Sequence, residues 1–199
     1  MRPANNSNQP SRKTMKLASY LARVSKGERS VWAKIISLSA GIVFFLILLP
    51  ALFIFTAHLL SQFLYFALPR QLEYVLAIIS VAIGVFWLAW AALEQWVAGR
   101  GTPAQSAPTQ KLITSGPYAA CRNPIELGAL FYYFGIGTLF GSAWHGVVSL
   151  VLGLLGGSLY HKFIEEDELE KRFGAAYVEY RAKTPFLLPR FWRSKKIKG

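Results

Sequence analysis

The stretch "ITSGPYAACRNPIELG", Ile113 to Gly128, decides how the chain is read. It follows a Pro/Gln/Ser/Thr-rich segment and leads straight into an apolar one, yet it carries Arg122, Asn123 and Glu126 around Pro117 and Pro124. Proline fixes φ and disfavours helix at the residue before it. Gly116 and Gly128 permit a tight backbone. At membrane depth, polar non-helical backbone is tolerated only where it lines a cavity or is buried in protein. If its surroundings are membrane, this segment is a pocket wall.

The composition says that they are. Of 199 residues, 53% are hydrophobic and only 16% charged, too few charges for a soluble domain of this size. The net charge of +12 is carried mostly at the two ends and beside long apolar runs. That placement suits anionic lipid headgroups and argues against nucleic acid. The single cysteine, Cys121, reads as a packed apolar residue, and no Cys/His cluster has metal-ligand spacing. The apolar run after the basic residues 1–30 exceeds the 7–15 residues or so of a signal-peptide core, which predicts an uncleaved anchor.

Four transmembrane helices are expected from the need for about 20 apolar residues per crossing. Ile35 to Leu60, kinked at Pro50, is the first and Leu72 to Leu93 the second. The run from Leu127 to Ile164 is too long for one helix and breaks at "GSAWHG", Gly141 to Gly146. Its halves hold Gly135 and Gly137, then Gly153, Gly156 and Gly157, and small residues let helices pack closely as a hairpin in lipid. The fold class is therefore an all-α integral membrane protein with a C-terminal helical hairpin and a cytoplasmic amphipathic helix after it. With four spans and both termini cytoplasmic, 21 of the 22 Lys and Arg residues lie inside, Arg70 alone outside. The opening stretch and the tail then share one face. The parts divide as a basic segment 1–30, two spans in 31–94, a region 95–190 that includes the hairpin and a basic tail 191–199.

In the tail, Leu169, Phe173, Ala176, Tyr177 and Tyr180 recur at helical spacing. Gly174 allows a bend and Pro185 marks the end. The simplest role for this stripe, with Lys195, Lys196 and Lys198, is attachment to the lipid surface. The acidic run Glu165, Glu166, Asp167 and Glu168 reads equally as a solvated helix exit or as part of a site. His161 and Glu165, four apart, share one helix face. Glu126 also fits as a first-turn glutamate stabilised by the helix dipole and Arg122. His58 and His145 are expected to do no chemistry, and Trp32, Trp96, Trp144 and Trp192 to belong to interfacial belts.

"LITSGPYAACRNPIELG" followed, one hairpin later, by "EEDELEKRFGAAYVEYRAKTPFLLP" resembles the isoprenylcysteine carboxyl methyltransferase family and its relatives, the phospholipid N-methyltransferases. The family pattern is about L-V-T-x-G-x-Y-x-x-x-R-H-P-x-Y-x-G, then E-E-x-x-L-x-x-x-F-G-x-x-Y-x-x-Y and a late proline. "GRGTP", Gly99 to Pro103, looks like a loop of its bacterial members. The resemblance covers about residues 95–190 and implies a membrane enzyme using S-adenosylmethionine, with a lipid or prenylated substrate arriving from the bilayer. It implies that Gln110, Leu112, Ile113, Tyr118, Asn123, Pro124, Glu126 and Glu165 line the cofactor site. The chain departs from the pattern at Asn123 (usually histidine), Glu126 (usually tyrosine) and His161 (an arginine in eukaryotic members).

The departures bear on the chemistry. Asn123 still donates and accepts hydrogen bonds, but an imidazole cannot fork onto a substrate carboxylate as arginine does. A carboxylate acceptor needs no base, whereas an alkylammonium must first lose a proton, which His161 or Glu126 can take as the catalytic pair. This favours an amine, hydroxyl or thiol acceptor. Phospholipid N-methylation is the alternative reading, and a non-catalytic binding module of the same fold is the second alternative. The sequence leaves the oligomeric state open.

Overall fold

Backbone polar groups without water must bond within their own segment, so a chain this apolar is expected to be helical throughout. The computed structural model describes residues 31–101 and 109–190, and among them there are helices and no strands. In chain order these are α1 (Val31–Val43), a π-helical turn (Phe44–Leu48), α2 (Leu49–Leu60), α3 (Arg70–Val97), the short α4 (Pro117–Ala120) and α5 (Pro124–Phe140). They continue with α6 (Ala143–Tyr160), a second π-helical turn (His161–Glu165), α7 (Glu166–Phe173) and α8 (Ala175–Lys183). The basic segment 1–30, part of "GRGTP" and the tail 191–199 lie outside the described residues.

Three helical stretches are long and apolar enough to cross a membrane: Leu38–Leu60, Arg70–Val97 and Ala143–Phe173. The third of the four expected spans, α5, has only 17 residues. Proline starts it and Gly141 stops it, so it covers about 25 Å at 1.5 Å per residue against a hydrocarbon core of about 30 Å. The chain is an integral membrane protein with three such spans and this shorter apolar helix.

Pro50 does interrupt the first span. Lacking an N–H, it leaves the carbonyl four residues earlier without a partner. That carbonyl, on Leu46 in the π-helical turn, instead accepts the Tyr132 hydroxyl at 3.0 Å. One side chain of α5 thus repairs the break and ties it to the first span.

The backbones of α3 and α5 almost touch: a Cβ on Gly84 would lie 2.6 Å from the Tyr132 nitrogen, and one on Gly135 would lie 2.8 Å from the Val81 nitrogen. Gly135 therefore serves α3, although its sequence position suggested α6. Gly137 and Gly146 form the α5–α6 contact, and the two helices are separated only by Gly141 and Ser142. At that junction the buried Glu73 accepts the Ala143 amide at 2.7 Å, the Leu68 amide at 3.1 Å and Arg70 Nη1 at 3.1 Å. Arg70 also donates to the Gly141 carbonyl at 2.9 Å. These bonds occupy groups that helix ends leave unpaired. Trp144 donates to the Ala57 carbonyl at 3.0 Å, so it fastens α6 to α2.

Candidate active site

The opening stretch is held open by its own backbone chemistry. Gly116 sits at φ +56°, ψ −132°, which side chains avoid, and it turns the chain into α4. The Ser115 hydroxyl donates to Glu94 at 2.6 Å and anchors the turn to the end of α3. Six residues after Gly116 the chain meets a partner about 60 residues further on. The Arg122 amide donates to the Pro185 carbonyl at 2.9 Å, and the Asn123 amide and Nδ2 both donate to the Phe186 carbonyl, at 3.2 and 3.0 Å. Arg190 N closes the strap on the Ala120 carbonyl at 2.9 Å. The segment after the last helix is thus a strap across the Pro-hinged wall.

The last helix arrives through the π-helical turn. An extra residue per turn redirects side chains, and such turns recur at functional sites. Here it carries His161 and Glu165. His161 Nδ1 is paired with Glu165, while Nε2 lies 3.2 Å from Glu126 Oε2, so the imidazole bridges two carboxylates from different helices. The Ser158 hydroxyl donates to Glu126 Oε1 at 3.3 Å. Arg122, expected beside Glu126, is paired with Glu166 instead, with Arg181 Nη1 3.8 Å from the same carboxylate. Arg172 holds Glu168 at 2.9 Å. Three of the four acidic residues of the run therefore have specific cationic partners, and one of these pairs, Arg122–Glu166, ties the tail to the wall.

Between wall and tail lies a cavity of about 60 Å³, lined by the wall residues Leu112, Ile113, Tyr118, Arg122 and Asn123, with Gln95 from α3. Glu165, Leu169, Phe173, Tyr177 and Tyr180 close its other side. The Tyr180 hydroxyl donates to the Tyr118 carbonyl at 2.8 Å, and Gln95 donates to the Tyr118 hydroxyl. Burial pushes the Tyr118 and Tyr180 hydroxyls well above the usual phenol range and that of Tyr177 up to about 12, so all three stay neutral. Burial also raises the Cys121 thiol to about 11, as suits a packed cysteine.

Of the residues the resemblance implied for the cofactor, Leu112, Ile113, Tyr118, Asn123 and Glu165 line this cavity. Gln110 lies at its margin, its amide bonded to the Gly99 carbonyl at 2.6 Å. Pro124 is fully buried under the start of α5, and Glu126 faces His161 and Ser158. Sequence reasoning missed Gln95, Arg122 and Ser158. It also assigned the Leu169, Phe173, Tyr177 and Tyr180 stripe to the lipid surface, whereas that stripe faces the cavity. The signals were a lone amide near the end of an apolar span and a hydroxyl three residues before His161.

Two buried atoms without a hydrogen-bond partner belong to cavity residues: Gln95 Oε1 and Arg122 Nε. An acceptor and a cationic donor on one cavity suit a ligand with both an amino and a carboxylate group, as the methionyl end of S-adenosylmethionine has. Among the remaining lining residues Leu112, Ile113, Leu169 and Phe173 offer the apolar surface that an adenine requires. At about 60 Å³ the cavity holds only a few waters.

The family model for phospholipid methyltransferases matches residues 72–176 of the chain. The cobalt-zinc-cadmium resistance protein CzcN of Cupriavidus metallidurans is 29% identical over 116 residues, 58% of this chain and 48% of that protein. The protein-S-isoprenylcysteine O-methyltransferases of Mus musculus and Rattus norvegicus are each 31% identical over 87 residues, 43% of this chain and 30% of theirs. The chain thus spans about half the length of the first relative and about a third of the other two.

Proposed function

This chain belongs to the phospholipid methyltransferase family, and on that premise we propose that it is a membrane methyltransferase that takes its methyl group from S-adenosylmethionine and gives it to a lipid or prenyl acceptor. The observation that carries the reading is the junction of the Pro-hinged wall with the tail: residues from both close one cavity, and Glu165 is among them. When bound, S-adenosylmethionine supplies a methyl group on a sulfonium whose positive charge disappears on transfer. Gln95 and Arg122 hold the amino and carboxylate ends. Leu112, Ile113 and Tyr118 hold the adenine, and Glu165 offers the negative charge that a cationic donor favours. Orientation of this kind can contribute about 7–11 kcal/mol.

On the acceptor side, His161 and Glu126 form the acid–base pair, with Ser158 linking Glu126 to the neighbouring surface. Such a pair is useful only to an acceptor that must release a proton. We therefore favour an amine, hydroxyl or thiol, and phospholipid N-methylation is the most direct form of that reading. The chain crosses the membrane four times in this reading, with α5 as the short span and both termini cytoplasmic. The basic ends 1–30 and 191–199 then meet anionic headgroups.

Calorimetry of S-adenosylmethionine with detergent-purified protein tests the donor half: saturable binding that is lost in Glu165→Ala is expected. No binding at all leaves a non-catalytic module of this fold as the better reading. Labelled methyl transfer into an amine-headed phospholipid tests the acceptor half, and transfer to a prenylcysteine carboxylate alone overturns it.

A further inference from the structure

His161 meets a carboxylate at each ring nitrogen, and the two carboxylates belong to different halves of the site. Nδ1 is paired with Glu165, which lines the donor cavity. Nε2 lies 3.2 Å from Oε2 of the buried Glu126, in the first turn of α5. That oxygen has no hydrogen bond, so contact with the ring is its one polar interaction among the described residues. The other charges nearby cancel in pairs: Glu166 is paired with Arg122, and Glu168 lies 2.9 Å from Arg172. The Tyr160 and Phe186 rings, 5.5 and 6.4 Å from the imidazole, flank it without adding charge. With the imidazole doubly protonated, Glu126, His161 and Glu165 together carry one net negative charge.

From this we infer that Glu126, His161 and Glu165 are a proton reservoir tied to the donor cavity, one proton richer beside S-adenosylhomocysteine than beside S-adenosylmethionine. The two nucleosides share their amino and carboxylate groups and differ by the methyl group and its positive charge. That charge offsets the trio's negative one, and S-adenosylhomocysteine leaves it without a counter-charge. A charge held away from water and unpaired is costly, and the group that bears it changes its protonation instead. The inference rests on the methyltransferase reading and gives His161 a reason to touch both halves of the site. In turnover the N–H bond of an ammonium acceptor breaks, and its proton joins Glu126 or His161 Nε2. The freed electron pair on nitrogen takes the methyl carbon, and the pair of the breaking S–C bond stays on sulfur. The trio thus gains a proton as the donor loses its charge, and it returns that proton to water when the product leaves.

The test is a proton count on binding, which needs no acceptor and no turnover. Each nucleoside is titrated calorimetrically into the full chain in neutral detergent at about pH 7, where the ligands' own amino groups are mostly protonated. Repeating the titrations in buffers of different ionisation enthalpy gives the protons taken up. S-adenosylhomocysteine is expected to take up about one proton and S-adenosylmethionine about none. Because its complex holds more protons than the free protein, S-adenosylhomocysteine then loses affinity relative to S-adenosylmethionine by up to about 10-fold per unit of rising pH. Glu126→Gln leaves the trio neutral, so uptake with S-adenosylhomocysteine falls to near zero. Glu170→Gln, at an exposed carboxylate 3.1 Å from Arg181, keeps it. Equal proton counts for the two nucleosides in the wild-type protein overturn the inference and leave the methyltransferase reading standing. Uptake unchanged in Glu126→Gln also overturns it, by placing the proton elsewhere. Binding of neither nucleoside overturns the methyltransferase reading and the reservoir with it. The wild-type counts decide without any variant having to fold.

Discussion

Gly156 and Gly157 are neighbours on one helix and offer a paired experiment on the acid–base pair. A Cβ on Gly156 meets nothing within 4 Å, whereas one on Gly157 would lie 2.6 Å from Glu126 Oε1, 2.9 Å from its Cδ and 3.2 Å from its Cγ. Ordinary contact begins at 3.4 Å, so Gly157→Ala must push the Glu126 carboxylate by about 0.8 Å. Because the clash is with the far end of a side chain, the fold survives. The bonds of Glu126 do not, since its distances to His161 and Ser158 are already 3.2 and 3.3 Å. A displacement approaching 1 Å at a reacting group can cost about 100-fold in rate. We expect Gly157→Ala to lose about 10- to 100-fold in turnover while its melting temperature and S-adenosylmethionine affinity stay near wild type. Gly156→Ala should keep full turnover and gain up to about 1 kcal/mol, from reduced unfolded-state entropy and better helix propensity. Methyl-transfer rates and thermal unfolding in one detergent read both variants. Wild-type turnover in Gly157→Ala would refute the role assigned to Glu126.

Other variants separate structure from chemistry. Tyr180→Phe removes one buried hydrogen bond, to the Tyr118 carbonyl, and should cost about 1–3 kcal/mol in unfolding measurements. Glu73→Ala leaves the Ala143 and Leu68 amides unpaired at the α5–α6 junction, far along the chain from the cavity, and should destabilise by about 1–3 kcal/mol for each amide. Donor affinity of the folded fraction should not change, and a selective loss of it would refute the purely structural role. Cys121, with its thiol raised to about 11, holds only about one thiolate in a thousand at pH 8, against about one in four for a free cysteine. Maleimide labelling should therefore be slower by a factor of 100 or more until the protein unfolds, and rapid labelling of folded protein contradicts the packing described.

What the sequence made legible was periodic or local. Spans, their break at Gly141 and the shared face of His161 and Glu165 follow from helical spacing, and the bend at Gly174 appears as φ +56° between α7 and α8. The strap was invisible because Arg122 and Asn123 pair with Pro185 and Phe186 mainly backbone to backbone across about 60 residues, and the one side-chain bond, from Asn123 Nδ2, is to a carbonyl that any residue supplies. The partner of Arg122 was misread for a related reason. Glu126 is its neighbour along the sequence, but Arg122 lies before α5, the tail brings Glu166 closer, and Glu126 turns inward to His161. The four-span count depended on length, and α5 falls short because Pro124 and Gly141 fix both its ends.

The departures from the family pattern gain meaning from where they lie. Had Glu126 and His161 each drifted after loss of function, nothing would require them to meet. A buried carboxylate and a neighbouring imidazole are costly unless each is partnered. Instead they face each other from two helices, one carboxylate oxygen takes the Ser158 hydroxyl, and Gly157 leaves the space in which Glu126 lies. Glu126 and His161 are thus supported as a pair by the residues around them, which is what the proposed proton transfer requires.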